Sequence, residues 1–231
     1  MSTAPAAALA PIRLQDEYVT LDPLTADHLP GLEAAAADGA LWNLQGTNVA
    51  APGQMPDWLA AALQAQAEGT MLPFAIRDAA GGDIIGTTRF YDIDMTVPRV
   101  AIGYTWYARR AQKTHLNTAC KRLLLTYAFE TLGCLAVAFH TDDLNHDSQR
   151  AIERLGARHE GILRAHRRRR DGSVRNTVCY SILATEWPSV AQALDERLRR
   201  LAAIGPTAGR TPPRASGLHA RQPYNNPTTA D

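Results

Sequence analysis

The residues whose types and spacing could do chemistry are concentrated between Arg99 and Gly133. The apolar run Arg99-Val-Ala-Ile-Gly-Tyr-Thr-Trp-Tyr107 predicts a strand, and Ala108-Arg-Arg-Ala-Gln-Lys-Thr-His-Leu-Asn117 a short basic loop. From Thr118 to Gly133 the residues follow a helical period, with Leu116, Ala119, Leu123, Leu124, Ala128 and Leu132 on one stripe. A strand feeding a basic loop at a helix N-terminus is a common phosphate site. The first helical N–H groups have no intrahelical acceptor, and the helix dipole adds partial positive charge there. Gln112, Lys113, Thr114, His115, Leu116, Asn117 and Thr118 make up the candidate loop and helix start.

Asn145 and Ser148 form a second constellation. At i and i+3 they share one face of a predicted helix start, where Asn145 would cap the backbone and leave both polar groups on the same side. Candidate proton acceptors near strand ends are Asp92, Asp94, His140 and Asp142, each with a solvated carboxylate or a packed imidazole as the competing reading. The run His166-Arg-Arg-Arg-Arg-Asp171 could contact phosphate. No aromatic residue is interleaved with it, and strand alternation would split the arginines between two faces, so a charge-protected hairpin edge competes with nucleic-acid binding.

The elements that must position these groups can be read in order. Tyr18–Leu21 is a short strand, and Thr25 caps a helix with Leu29, Leu32 and Ala36 inward. A loop from Asp38 to Gly53 precedes a helix after Pro56, with Trp58, Leu59, Ala62 and Leu63 inward and Gly69 as its stop. Met71–Arg77, Asp83–Tyr91 and the strand from Arg99 make an antiparallel meander, with the Val19 strand at its edge. Leu135–Phe139 is apolar enough for a strand covered on both faces, reached by a parallel crossover through the helix. The helix opened by Asn145 buries Ala151, Ile152 and Leu155 and stops at Gly156. Asp171-Gly172 joins two β-forming runs, near Arg158–Arg169 and Val174–Leu183, as a hairpin. A last helix from Pro188 to Ile204 carries Val190, Leu194, Leu198 and Leu201. The fold class is α+β in one domain, residues 12–204, flanked by disordered segments 1–11 and 205–231.

Composition bounds the partners. The net charge of +1 over 231 residues gives no global field for nucleic acid or acidic membrane. Cys120, Cys134 and Cys179 lack metal-ligand spacing and suggest reduced thiols in a cytoplasmic protein, Cys120 as a packed thiol. The N-terminus lacks the pattern of a secretory signal, and no segment approaches the roughly 20 apolar residues of a membrane span.

The order β–α–α–β–β–β–α–β–α–β–β resembles the GNAT superfamily of N-acetyltransferases. Its signature loop, Gln/Arg-x-x-Gly-x-Gly/Ala, falls on Gln112, His115 and Asn117, and its Asn-to-Gly helix on Asn145 and Gly156. The segments Val100–Trp106, Leu123–Cys134 and Arg154–Arg164 look like the RimJ/RimL-type branch, as do the Asp171-Gly172 hairpin and the Trp-Pro that follows. The resemblance implies a mixed, mostly antiparallel twisted sheet flanked by helices.

It also implies acetyl-CoA as co-substrate and no metal. The coenzyme A pyrophosphate would lie on Lys113 to Thr118, the pantetheine arm on Asn145, and the sulfur near Ser148, which could protonate the departing thiolate. A backbone N–H of Gly103, Tyr104 or Thr105 would polarise the acetyl carbonyl. The acceptor would be a primary amine, of a protein N-terminus or a small molecule, attacking directly in a ternary complex. The Arg167–Arg170 run could meet an acidic protein substrate or the adenosine 3′-phosphate. The chain departs from the pattern at four positions: His115 and Asn117 replace the loop glycines, Ala101 replaces a strand glutamate, and Ile152 a tyrosine acid. A non-catalytic acyl-CoA-binding or interaction module of the same fold is therefore the alternative expectation. A homodimer is compatible with either.

Overall fold

The computed structural model of the protein describes residues 9–43, 49–169 and 171–204. The terminal segments expected to be disordered lie outside these residues except for 9–11. So do Arg170 and residues 44–48 of the loop expected from Asp38 to Gly53.

Eight strands form one sheet: β1 (Leu14–Gln15), β2 (Val19–Pro23), β3 (Leu72–Asp78), β4 (Ile84–Asp94), β5 (Arg99–Tyr107), β6 (Ala136–Asp142), β7 (Arg158–Arg168) and β8 (Val174–Leu183). Their order is β1-β2-β3-β4-β5-β6-β8-β7, antiparallel except for β5 beside β6. The expected mixed, mostly antiparallel sheet is thus present. The two-residue β1 is an addition; it pairs Leu14 with Leu21 and Gln15 with Thr20.

Helices α1 (Leu29–Ala37) and α2 (Met55–Ala67) cover one face. There Leu24, Leu32, Ala35, Leu59 and Ala62 pack with Ala75, Ile84 and Trp106. Thr25 caps a short turn ahead of α1, and its backbone N–H donates to His28 Nδ1 at 3.0 Å. Trp58 and Leu63 are only partly buried, because the apolar stripe of α2 centres on Met55, Leu59 and Ala62.

Helices α3 (Leu116–Thr126), α4 (His146–Glu153) and α5 (Trp187–Ile204) lie with the other cluster, where Leu124, Leu125, Ile152, Leu155 and Leu194 pack with Phe74, Phe90, Val137 and Tyr180. The period after Thr118 predicts one regular helix to Gly133. Instead α3 begins at Leu116 and passes into a wider π turn at Tyr127–Thr131. Within α3 Leu125 is fully buried while Leu123 is only partly covered, and Leu132, just past the π turn, is only partly covered too. β6 starts at Ala136, and Leu135, expected inside, is 56% exposed. Among the described residues no helix is long and apolar enough to cross a membrane.

The pairing of β5 with β6 positions the site. It holds for only three registers, Arg99 with Ala136, Val100 with Val137 and Ala101 with Ala138. Beyond Ala101 the strands separate. On its other edge β5 slips against β4, where Arg89 pairs with Gly103 and Thr87 with Trp106. Tyr104 sits in the bulge with φ of 53°, a left-handed conformation that costs a non-glycine residue energy and is concentrated at functional sites.

Candidate active site

A cleft of about 840 Å³ opens where β5 and β6 part. Its walls come from Ile102–Tyr107 of β5, Phe139–Asp142 of β6, the loop before α3, and the first turns of α3 and α4. Two chemically different sides meet there.

The α3 side holds most of the residues expected at the phosphate site. Gln112, Lys113, Thr114, Asn117 and Thr118 line the cleft. Gln112 anchors the loop by donating from Nε2 to the Tyr107 carbonyl at 2.9 Å. Thr114 Oγ1 donates to the Ala111 carbonyl at 2.8 Å and accepts from the Leu116 N–H at 3.2 Å. Lys113 takes the left-handed turn, φ 61°, that a glycine adopts without strain. The side chains of His115 and Leu116 go elsewhere. The His115 ring packs edge-on against Tyr18 at 5.0 Å, and Leu116 is in the core. Neither residue lines the cleft, contrary to the expectation for them.

Asn145 caps α4, its Oδ1 accepting from the Ser148 N–H at 3.0 Å, and both residues line the cleft. Gly103, Tyr104 and Thr105 line it too, on the β5 edge that β6 has left. Gly103 matters for its missing side chain: a Cβ there would lie 2.6 Å from Tyr91 Cε1.

Lys121 is not among the residues the sequence pattern singles out. It lies in the cleft wall and its ammonium donates to Thr105 Oγ1 at 2.7 Å and Thr88 Oγ1 at 3.2 Å. Burial without a carboxylate partner lowers its pKa to about 8. A lysine within the apolar stripe of α3 was the available signal.

The opposite side is aromatic. Tyr91 lies edge-on to Tyr104 at 5.3 Å, and its hydroxyl is 2.9 Å from His140 Nδ1. Asp92 Oδ2 stands 3.7 Å from the same nitrogen. Burial lowers the His140 pKa more than Asp92 raises it, so the ring is neutral at pH 7. Burial raises the Tyr91 pKa, keeping the phenol protonated. Arg89 is sandwiched between Trp58 and Tyr104, 4.5 and 4.7 Å from their ring centroids. It is 5% exposed, and burial takes its pKa to about 10.

The other acid candidates separate. Asp142 is bound by Arg169, Nε to Oδ2 at 2.7 Å and Nη2 to Oδ1 at 2.8 Å, and accepts from the Leu144 N–H. The Arg169 hydrogen bond holds its pKa down at about 2, which removes it as a base. Asp94 is tied to Thr96 in the turn before β5. His140 and Asp92 remain. Arg169 thereby departs from the expected solvated hairpin edge, being latched to Asp142 and Asp143 instead.

The fold and cleft are those of an acyl-CoA N-acyltransferase, and residues 19–158 match the family model for the acetyltransferase (GNAT) domain. The chain belongs to that family of N-acetyltransferases. It is 33% identical over 111 residues to YdaF of Bacillus subtilis strain 168, described as a candidate ribosomal N-acetyltransferase. That match covers 46% of this chain and spans just over half, 57%, of YdaF. A GCN5-related N-acetyltransferase from Brucella melitensis superposes with a TM-score of 0.73 at 30% identity, covering 83% of this chain and 87% of that one. RimJ of Mycobacterium smegmatis, solved with CoA-disulfide, shares the fold with a TM-score of 0.64 at 20% identity, over 88% and 98% of the two chains. These relatives agree with the RimJ/RimL-type resemblance.

Proposed function

We propose that this N-acetyltransferase moves an acetyl group from acetyl-CoA to a primary amine by direct attack, with Tyr91 and His140 taking the amine proton. The observation that carries the reading is the Tyr91–His140 hydrogen bond beside Gly103, where β5 and β6 separate.

The residues present fit coenzyme A. The α3 N-terminus, Lys113, Asn117 and Thr118 offer donors to the pyrophosphate. Arg197 on α5 lines the same cavity with a buried Nε that has no hydrogen-bond partner, and Arg154, standing just past the end of α4, lines it too. Both guanidinium groups suit the nucleotide phosphates. When bound, acetyl-CoA supplies an activated acyl carbon with a thiolate leaving group.

The protein then has three tasks. Backbone N–H groups of Gly103–Thr105, on the edge β6 leaves, polarise the carbonyl oxygen. Tyr91 accepts the proton of the attacking amine while passing its own to His140 Nδ1. The Asp92 carboxylate offsets the resulting imidazolium. Ser148 on α4 donates to the thiolate. The YdaF likeness supports a protein amine as acceptor, and the three free thiols support the cytoplasm.

The test is thiol release from acetyl-CoA against a panel of N-terminal peptides, amino acids, polyamines and drug-like amines. At least one acceptor is expected to turn over. His140→Gln then lowers kcat by about 10²-fold or more with coenzyme A affinity retained. In the parent the rate falls as pH drops below the ordinary histidine range, because the neutral ring is the active form. Silence across the whole panel would overturn the reading. Acetyl-CoA binding with that silence would favour the non-catalytic module, which the absent loop glycines favour.

A further inference from the structure

We propose that the acceptor amine carries a carboxylate, held by Arg167 and Arg175 across the β7–β8 hairpin. The proposal rests on the acetyltransferase reading for the amine and goes beyond it in assigning the acceptor's charge.

Arg167 and Arg175 are directly opposed in the register of β7 and β8. Like charges in that relation repel, so the pair is a cost unless something anionic lies between them. A bulge produces the arrangement: the register slips between Leu163 and Arg167, and Ala165 takes φ of 50°, with its N–H donating to Asn176 Oδ1 at 2.9 Å. Bulges re-aim side chains beside functional sites.

The pair faces the acceptor side. Val178, Tyr180 and Ile182 of β8 pack in the α3–α5 cluster, so the alternate residues Arg175 and Thr177 face the other way. Both arginines line the cleft. The nearby carboxylates do not satisfy them. Arg169 takes Asp142 through both oxygens and reaches Asp143 at 2.8 Å, and Asn176 also donates to Asp143. Arg175 Nε is left 3.9 Å from Asp142, buried and without a hydrogen-bond partner. Behind the cleft wall, Arg89 is a further buried cation, held between the lining residues Trp58 and Tyr104. Its Nη1 is 3.6 Å from Met71 Sδ, and its Nε has no partner. Two donor-only groups on one wall of the cleft select an anionic oxygen, and a carboxylate matches a guanidinium in shape as well as charge.

The probes are two peptides, Asp-Ala-Ala-Ala-amide and Asn-Ala-Ala-Ala-amide, which differ only in the carboxylate. Glu- and Gln-headed peptides and the single amino-acid amides are further arms, the last showing whether chain beyond the first residue matters. Calorimetry on the protein saturated with coenzyme A reads binding, and thiol release with acetyl-CoA reads turnover. The acid of a pair is expected to bind about tenfold or more tighter than its amide. Arg175→Gln should bring that ratio towards one. Arg167→Gln, at an exposed position, should lower it several-fold even where Arg175→Gln folds poorly. Equal binding of acid and amide, no binding of either, or a ratio that survives both substitutions overturns the proposal. Discrimination in binding with no thiol released would keep it and sink the acetyl-transfer reading; equal release from acid and amide would do the reverse.

Discussion

Asn117 is the residue at which the phosphate reading is most exposed to test. It stands in the first turn of α3 and lines the cleft, so Asn117→Asp sets a negative charge against the pyrophosphate without disturbing the core. Coenzyme A should bind about tenfold more weakly by calorimetry, with an unchanged melting temperature. An unchanged dissociation constant would mean that the phosphates lie elsewhere. The placement of Asn117, Asn145, Ser148 and the β5 backbone in the cleft was legible because it follows from sequence-local geometry: a helix start, a cap, a strand edge. Tyr91, Arg89 and Lys121 were not. Each is set in place by partners 15 or more positions away, brought together by strand slippage that hydrophobic period does not encode.

At the scale of elements, the β7–β8 hairpin is fastened to the end of β6 by Arg169 on Asp142 and Asp143. Arg169→Ala should lower the melting temperature by several degrees at pH 7, since it leaves a nearly buried carboxylate unpaired. The pH dependence follows from the depressed Asp142 pKa. The stabilisation is present above the unfolded value near 3.9 and is lost as pH falls through about 2. Urea midpoints of parent and variant should therefore converge as pH drops from 5 towards 2. A constant gap would assign the effect to packing. The hairpin itself was legible from Asp171-Gly172; β5 falls on the apolar run and β8 on the alternating run that predict them. The π turn ending α3 was not legible, because Leu123, Leu125 and Leu132 are equally apolar and only packing decides which face inward.

For the whole molecule, the buried Lys121 ammonium is a liability that Thr88 and Thr105 only partly offset. Lys121→Met should raise the melting temperature at pH 7 by roughly 5 °C. With a native pKa near 8 and an unfolded value near 10.4, the unfolded chain binds more protons between them. The stability advantage of methionine should shrink across that interval and vanish above it. An advantage that does not change with pH would refute the charge explanation. The three-register contact between β5 and β6 has a consequence for cooperativity. β1–β5 and β6–β8 meet within the sheet only through these three pairs, and they share one apolar core with α3, α4 and α5. Such a seam lets one half open without the other. A ligand seated in it contacts both halves and is lost if either opens, so occupancy ties two local unfolding equilibria into one. The co-substrate would then govern, besides the chemistry, whether this chain melts as one unit or as two.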